Sequence, residues 1–170
     1  MTVATLVIAV VGLVLSAVSV TWQVLQHRLS GPRVRVELLW GGIGGGRVVT
    51  GPIRGTLDSF AGGFPNSQAV EPIAAVRGRN IGRLPVDVTA FAVEFDGGHS
   101  VGFPGWNLNP TSPHTLKPGS AVVFYLPLNL VDATIRAGHD NLRSHGQIRG
   151  SLDLATGGDA TSPWVTYPPR

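Results

Sequence analysis

Val86-Asp87-Val88-Thr89-Ala90-Phe91-Ala92-Val93-Glu94-Phe95 is the stretch on which the fold turns. Val86 and Val88 are apolar with Asp87 and Thr89 set between them, the period-two pattern of a strand wet on one face. Phe91, Val93 and Phe95 continue the alternation with Glu94 opposite, but the apolar set has moved by one residue near Ala90. In a strand such a slip turns every later side chain to the other face. A β-bulge near Ala90 would return both halves to one core. Two half-strands packed against different neighbours would produce the same pattern.

Working outward, Asp96-Gly97-Gly98 follows directly and then Ser100–Phe103, which reads as a hairpin. Arg33–Leu38 alternates with Val34, Val36 and Leu38 on one face. Gln147–Leu154 does the same, with Ile148, Gly150, Leu152 and Leu154 on one face. Further strands are expected at Val48–Leu57, Ala69–Arg79, Ala121–Leu126 and Val165–Tyr167. Lys117-Pro118-Gly119-Ser120 and Thr156-Gly157-Gly158-Asp159 are turn signals, while Gly41–Gly46 and Ser59–Ser67 read as loose loops. Many short strands separated by Gly/Pro turns indicate an antiparallel sandwich or barrel. One short helix fits Leu130–Ala137, with Asn129 as its N-cap, Asp132 in the first turn, Val131 and Ile135 on one face, and Gly138 at the exit.

Val3–Leu25 reads VATLVIAVVGLVLSAVSVTWQVL and carries no ionisable side chain. A helix of that length rises about 35 Å, enough to cross a hydrocarbon core of about 30 Å. Ser16, Ser19 and Thr21 can return their hydroxyls to the helix backbone, and Trp22 lies where an indole suits the headgroup level. The layout expected is a transmembrane helix over residues 1–26, a linker over 27–32 and a β-sandwich over 33–170. A cleaved signal peptide competes, because Ala17-Val18-Ser19 resembles a small-x-small cleavage pattern. Against it stand the absence of a base before the apolar run and the length of that run. The residues that follow include Arg28, Arg33 and Arg35 as membrane-proximal bases. Positive charge beside a helix end tends to stay in the cytoplasm. An N-out, C-in orientation with a cytoplasmic sandwich is therefore expected, the extracytoplasmic side being the alternative.

The roughly 140 residues after the anchor suffice for a core without disulfides or metal. The chain has no Cys, which excludes a disulfide framework and a thiolate zinc site. Its net charge of +3 comes from arginines spread along the chain, with Lys117 the single lysine. That spread argues against a nucleic-acid partner. The glycine run lacks the dinucleotide spacing, because Arg47 follows Gly44 by three, and no Gly-Lys-Ser/Thr follows it. No nucleophile elbow is present, and the ten acids are scattered. No catalytic residue, cofactor or metal is expected, and the chain is not expected to be an enzyme. The rival is a membrane-anchored hydrolase using the His139–His145 region. Trp106, Tyr125, Trp164 and Tyr167 are candidates to line a binding surface. Trp106, Asn107 and Asn109 lie in a Pro/Gly/Asn-rich loop, the candidate interaction loop.

Arg79-Asn80-Ile81-Gly82-Arg83-Leu84-Pro85-Val86 resembles the N-x-G-x-x-P-V turn between two sandwich strands. Leu116-Lys117-Pro118-Gly119-Ser120 resembles the L-x-P-G-E/S turn entering a later strand. Both recur in immunoglobulin-like domains of bacterial surface and membrane proteins. With the N-terminal helix, the layout is similar to small actinobacterial membrane proteins carrying one such domain. The resemblance implies an immunoglobulin-like sandwich without the immunoglobulin cysteines, and no activity. The expected function is that of a protein-interaction or structural module held in membrane lipid. It would present a loop or edge strand to a protein or envelope partner. A cleaved and exported sandwich is the other reading.

Overall fold

The slip in Val86–Phe95 is a β-bulge. In the computed structural model this segment pairs with Gln147–Leu154 from Phe95 opposite Ile148 to Ala90 opposite Asp153, and the register then jumps to Val88 opposite Leu154. Thr89 is the extra residue. It and Ala90 are both exposed, so Val86, Val88, Phe91, Val93 and Phe95 all reach one core. The bulge backbone is not orphaned, because the Thr89 carbonyl accepts from the Ser112 hydroxyl.

The structure describes residues 3–31, 33–53, 70–102, 105–139 and 146–167, with the side chains of 26–30 and 138–139 left out. Helix α1 spans Val3–Ser30. The strands are β1 (Val34–Gly44), β2 (Arg47–Pro52), β3 (Glu71–Asn80), β4 (Val86–Phe95), β5 (Ser100–Val101), β6 (His114–Leu116) and β7 (Ala121–Pro127). Helix α2 (Leu128–His139) follows, and then β8 (Gln147–Leu154), β9 (Asp159–Thr161) and β10 (Val165–Thr166). One sheet has the order β2-β1-β3-β7. In the other, β8 and β4 lie side by side, β9 and β10 flank β8, and β5 and β6 flank β4. Every pairing is antiparallel. The two sheets pack face to face as a β-sandwich.

The core follows from the alternation. Phe91 of β4 stacks on Phe124 of β7 across the sandwich, ring centroids 4.5 Å apart. Two glycines set how closely the sheets approach. A Cβ on Gly78 of β3 would lie 2.4 Å from Leu152 Cδ1, and a Cβ on Gly150 of β8 would lie 3.1 Å from Val76 Cγ1. Each sheet thus lays an aliphatic side chain into the gap left by the other's glycine. Trp40, fully buried, tilts against Tyr167 with centroids 5.6 Å apart.

Several expectations need correction. Gly41–Gly44 are strand residues, and Gly45 and Gly46, at φ 57° and 73°, form a two-residue hairpin turn joining β1 to β2. Both angles suit the type I′ turn, whose twist matches paired strands. Helix α2 begins at Leu128, directly after β7, so Asn129 lies inside it and does not cap it. Asp132 falls beyond the first turn, and Gly138 is helical and not an exit. The expected inward face holds: Val131 is in the core and Ile135 packs against it. Asp132 instead accepts a hydrogen bond from the Tyr167 hydroxyl, which ties α2 to the end of the sandwich. Burial, then this bond, raises the Tyr167 hydroxyl well above its ordinary pKa and keeps it a donor. Strands β6 and β9 were not expected from the sequence, and Asp159 opens β9 where a turn was expected. Helix α1 continues to Ser30, so most of the expected linker is helical. Residues 54–57 of one expected strand, the Ser59–Ser67 loop and Phe103 lie outside the described residues.

The two motifs behind the resemblance lie against each other. Asn80 is fully buried, and its side chain holds three backbone groups. Nδ2 donates to the carbonyls of Leu84 (2.8 Å) and Leu116 (2.9 Å), and Oδ1 accepts from the Gly82 N–H (2.9 Å). Its carbonyl accepts from the Gly119 N–H at 2.9 Å. The carbonyl of Arg33, just before β1, accepts from the N–H groups of Ile81 and Gly82.

A glycine in a turn such as Asn80–Val86 invites a positive φ, but Gly82 is not among the left-handed glycines. The strained position is Gly119, at φ 77° in a turn closed by Ser120 N–H to Lys117 O at 3.0 Å. With Pro118 before it, this is a type II turn. Nothing lies within 4 Å of a Cβ built there, so the penalty is conformational alone. Gly119→Ala is expected to destabilise by about 1 kcal/mol and Gly82→Ala by less. Denaturant midpoints of the two variants check this.

Candidate functional site

The four aromatic candidates do not converge on one surface. Tyr167 belongs to the core contact with Trp40. Trp164 is partly exposed and lies under the Arg149 guanidinium, 4.4 Å from ring centroid to Cζ. Arg149 is also paired with Glu94, with Nε and Nη2 each 2.7 Å from the same carboxylate oxygen. These three line a polar recess with Asp96, His99 and Ser100. Three of its acidic and basic members are already engaged: Arg149 and Glu94 by their charge-assisted hydrogen bonds, Arg149 also by the indole face, and Asp96 by further interactions.

Trp106 is half-buried, Asn107 is exposed, and Asn109 is half-buried. The Asn109 amide makes a double hydrogen bond to the Tyr125 backbone of β7. Its Nδ2 donates to the carbonyl at 3.0 Å, and its Oδ1 accepts from the N–H at 2.6 Å. It thereby stands in for a neighbouring strand at the outer edge of β7, an edge that proteins commonly cover. In the candidate interaction loop, Asn109 is thus a structural fastener, and Asn107 is the exposed polar member.

Among the described residues an unpaired stretch of strand edge lies elsewhere. β3 flanks β1 along nearly its whole length, but β2 covers only Leu39–Gly44 on the other side. No described strand pairs with Val34–Leu38 there. This stretch forms one wall of a groove of about 430 Å³, whose other walls include Pro52, Ile53, Ser162 and Pro163. Ser162 is buried and shapes that wall. Its Oγ accepts from the Gly150 N–H at 2.9 Å and donates to the Pro163 carbonyl at 3.0 Å, where the chain passes from β9 to β10. Period-two reading could not reveal this groove, because it depends on where β2 stops and where β9 bends.

Val3, Trp22 and Leu25 stand exposed on α1, Trp22 at 60%. The whole Val3–Leu25 stretch is unburied, long and apolar enough to cross a membrane, and contributes nothing to the core cluster. Ser16 and Thr21 return their hydroxyls to the carbonyls of Gly12 and Ala17, each at 2.8 Å. Arg33 and Arg35 are exposed, and Arg35 Nε lies 3.4 Å from Glu37. The side chains of Arg28 and His139, and residues 140–145, lie outside what the structure describes. Among the described residues no group of three His, Asp or Glu side chains is placed to hold a metal ion. Comparison with protein-family profiles and with curated proteins finds no match.

Proposed function

We propose that this is a single-pass membrane protein whose immunoglobulin-like sandwich acts, without catalysis, as a protein-interaction or structural module beside the bilayer. The observation that carries the proposal is the exposed apolar helix α1 joined to a sandwich with a core of its own. A helix with no buried face needs an apolar solvent, and lipid is that solvent. The partner surface proposed is the open edge of β1. An extended segment of a membrane or envelope protein would add there as a strand, its backbone meeting the free edge and its side chains entering the groove. The likeness of the Asn80 and Pro118 turns to those of small actinobacterial membrane proteins is part of the same proposal. So is the N-out, C-in orientation, which rests on Arg28, Arg33 and Arg35.

The full chain is expected to stay with membranes through carbonate and high-salt extraction, and a chain beginning at Ser30 to be soluble and folded. Recovery of the full chain in the soluble fraction with Met1 intact would overturn the anchor. A mature N-terminus beyond Ser19 would favour the exported reading. Protease added to spheroplasts should spare the sandwich until lysis. A photo-reactive side chain at Pro52 should cross-link a protein partner in the native membrane, and His139→Ala with His145→Ala should leave that cross-link unchanged. No cross-link at Pro52 would remove the groove from the proposal.

A further inference from the structure

The sandwich is electrically polarised. On the outer face of the β2-β1-β3-β7 sheet, Arg35, Arg77 and Arg79 are exposed. Arg35 stands directly opposite Arg79, and Glu37 opposite Arg77. Like charges placed opposite each other on a sheet repel. Glu37 is shared between Arg35 and Arg77, at 3.4 and 3.9 Å, and among the described residues the next acid along β3 is Glu71 at its far end. Beyond the β3 end of this face lie the exposed bases Arg33, Arg83 and Lys117. The outer face of the other sheet has the opposite character. Asp87, Asp153 and Asp159 are exposed there, with Asp153 directly opposite Asp159, and Glu94 is paired to Arg149. Burial first, and then Asp159 and Glu94, raise the Asp153 carboxyl above the ordinary carboxylate range.

The basic side is also the side stitched to the membrane helix. The Arg33 carbonyl holds the N–H groups of Ile81 and Gly82, and Arg33 follows the end of α1 by only three residues. From Leu25 to Ser30 the helix rises about 7.5 Å, roughly the depth of a headgroup layer. The turn held there exposes two aliphatic side chains, Ile81 at 59% and Leu84 at 49%. Bases flanking exposed aliphatics are what an anionic bilayer surface binds.

We propose that the sandwich lies on an anionic bilayer. Ile81 and Leu84 enter the headgroup–acyl boundary, Arg33, Arg35, Arg79, Arg83 and Lys117 face lipid phosphates, and the acidic sheet face is turned away. The inference rests on the reading of α1 as an anchor.

The absence of cysteine allows a single label at each chosen position of the full chain. Leu84→Cys and, on the acidic face, Ala90→Cys are each labelled with a nitrobenzoxadiazole fluorophore. The chains are reconstituted in phosphatidylcholine vesicles with or without phosphatidylglycerol, together with a headgroup-region spin-labelled lipid. With phosphatidylglycerol present, quenching at position 84 should exceed that at position 90 by more than about twofold. High salt, or Arg35→Glu with Arg79→Glu and Arg83→Glu, should bring the two together, the salt arm needing no change to the fold. Equal quenching at the two positions overturns the proposal, and so does quenching at 84 that ignores phosphatidylglycerol. Vesicle flotation in carbonate separates the two levels of failure. A chain that does not float overturns both anchor and proposal, and one that floats with equal quenching overturns only the proposal.

Discussion

Asn80→Ala is expected to destabilise the sandwich by about 3–4 kcal/mol, a loss large enough to unfold a marginal domain. The asparagine sits fully buried with Nδ2 on the carbonyls of Leu84 and Leu116 and Oδ1 on the Gly82 N–H. Alanine leaves the Leu84 and Leu116 carbonyls without that partner, the second at a buried site, while the Gly82 N–H keeps the Arg33 carbonyl. The cost then includes desolvation of the stranded carbonyls and not merely the net worth of the lost hydrogen bonds. Asn80→Asp separates the two halves of the clamp. It keeps the acceptor for Gly82 but sets a carboxylate oxygen against two carbonyls, so at neutral pH it should be no better tolerated than alanine. Asn80→Ser, small enough to admit water, should lose less than either. Chemical unfolding of the full chain in detergent, followed by near-ultraviolet circular dichroism, measures the series. A loss below about 1 kcal/mol for Asn80→Ala would mean that the three loops hold together without the amide.

The second large effect is expected at the reciprocal glycines. Gly78→Val should cost about 3 kcal/mol, because its Cβ would begin 2.4 Å from Leu152 Cδ1, and Leu152 is itself fully buried with little room to move. Leu152→Ala alone should cost about as much through the space it empties. Combined, the two changes should cost less than their sum, since the valine occupies part of the volume the leucine vacates. Additive losses in this double-mutant cycle would show that the two residues do not share a site.

The phase slip in Val86–Phe95, the hairpin at Asp96-Gly97-Gly98, the apolar helix and the inward face of α2 could all be read from local pattern, because each is a rule about neighbours in sequence. That the slip is a bulge and not two half-strands took the pairing with β8. The apolar phase of Val86–Phe95 slips where the register of β4 against β8 shifts. Gly98 takes φ 82° where a hairpin with a three-residue loop needs it. The glycine run was misread for an equally local reason. Residues without side chains carry no period, so Gly41–Gly44 gave no strand signal. Yet a Cβ at Gly41 would lie 2.0 Å from the Val49 carbonyl oxygen, and only glycine lets β1 and β2 meet there. Asn129 is a good cap in isolation, but the chain leaving β7 turns helical at Leu128, two residues before the expected start at Leu130.

What the sequence by itself determined is the division of the chain into an apolar helix and a run of half-buried strands, with the turns that separate them. Hydrophobic period and turn chemistry are short-range, and they are written in consecutive residues. What only the tertiary structure decided is which of those residues meet. Asn80 finds Leu116 thirty-six positions away, Asn109 covers the edge of β7, and no described strand pairs with Val34–Leu38 beyond the end of β2. Arg35 is brought opposite Arg79 only by strand pairing. Thirteen bases spread along the chain show no cluster in sequence. Alternation sends Arg35, Arg77 and Arg79 to one face of the sheet, and the turns beyond the end of β3 add Arg33, Arg83 and Lys117.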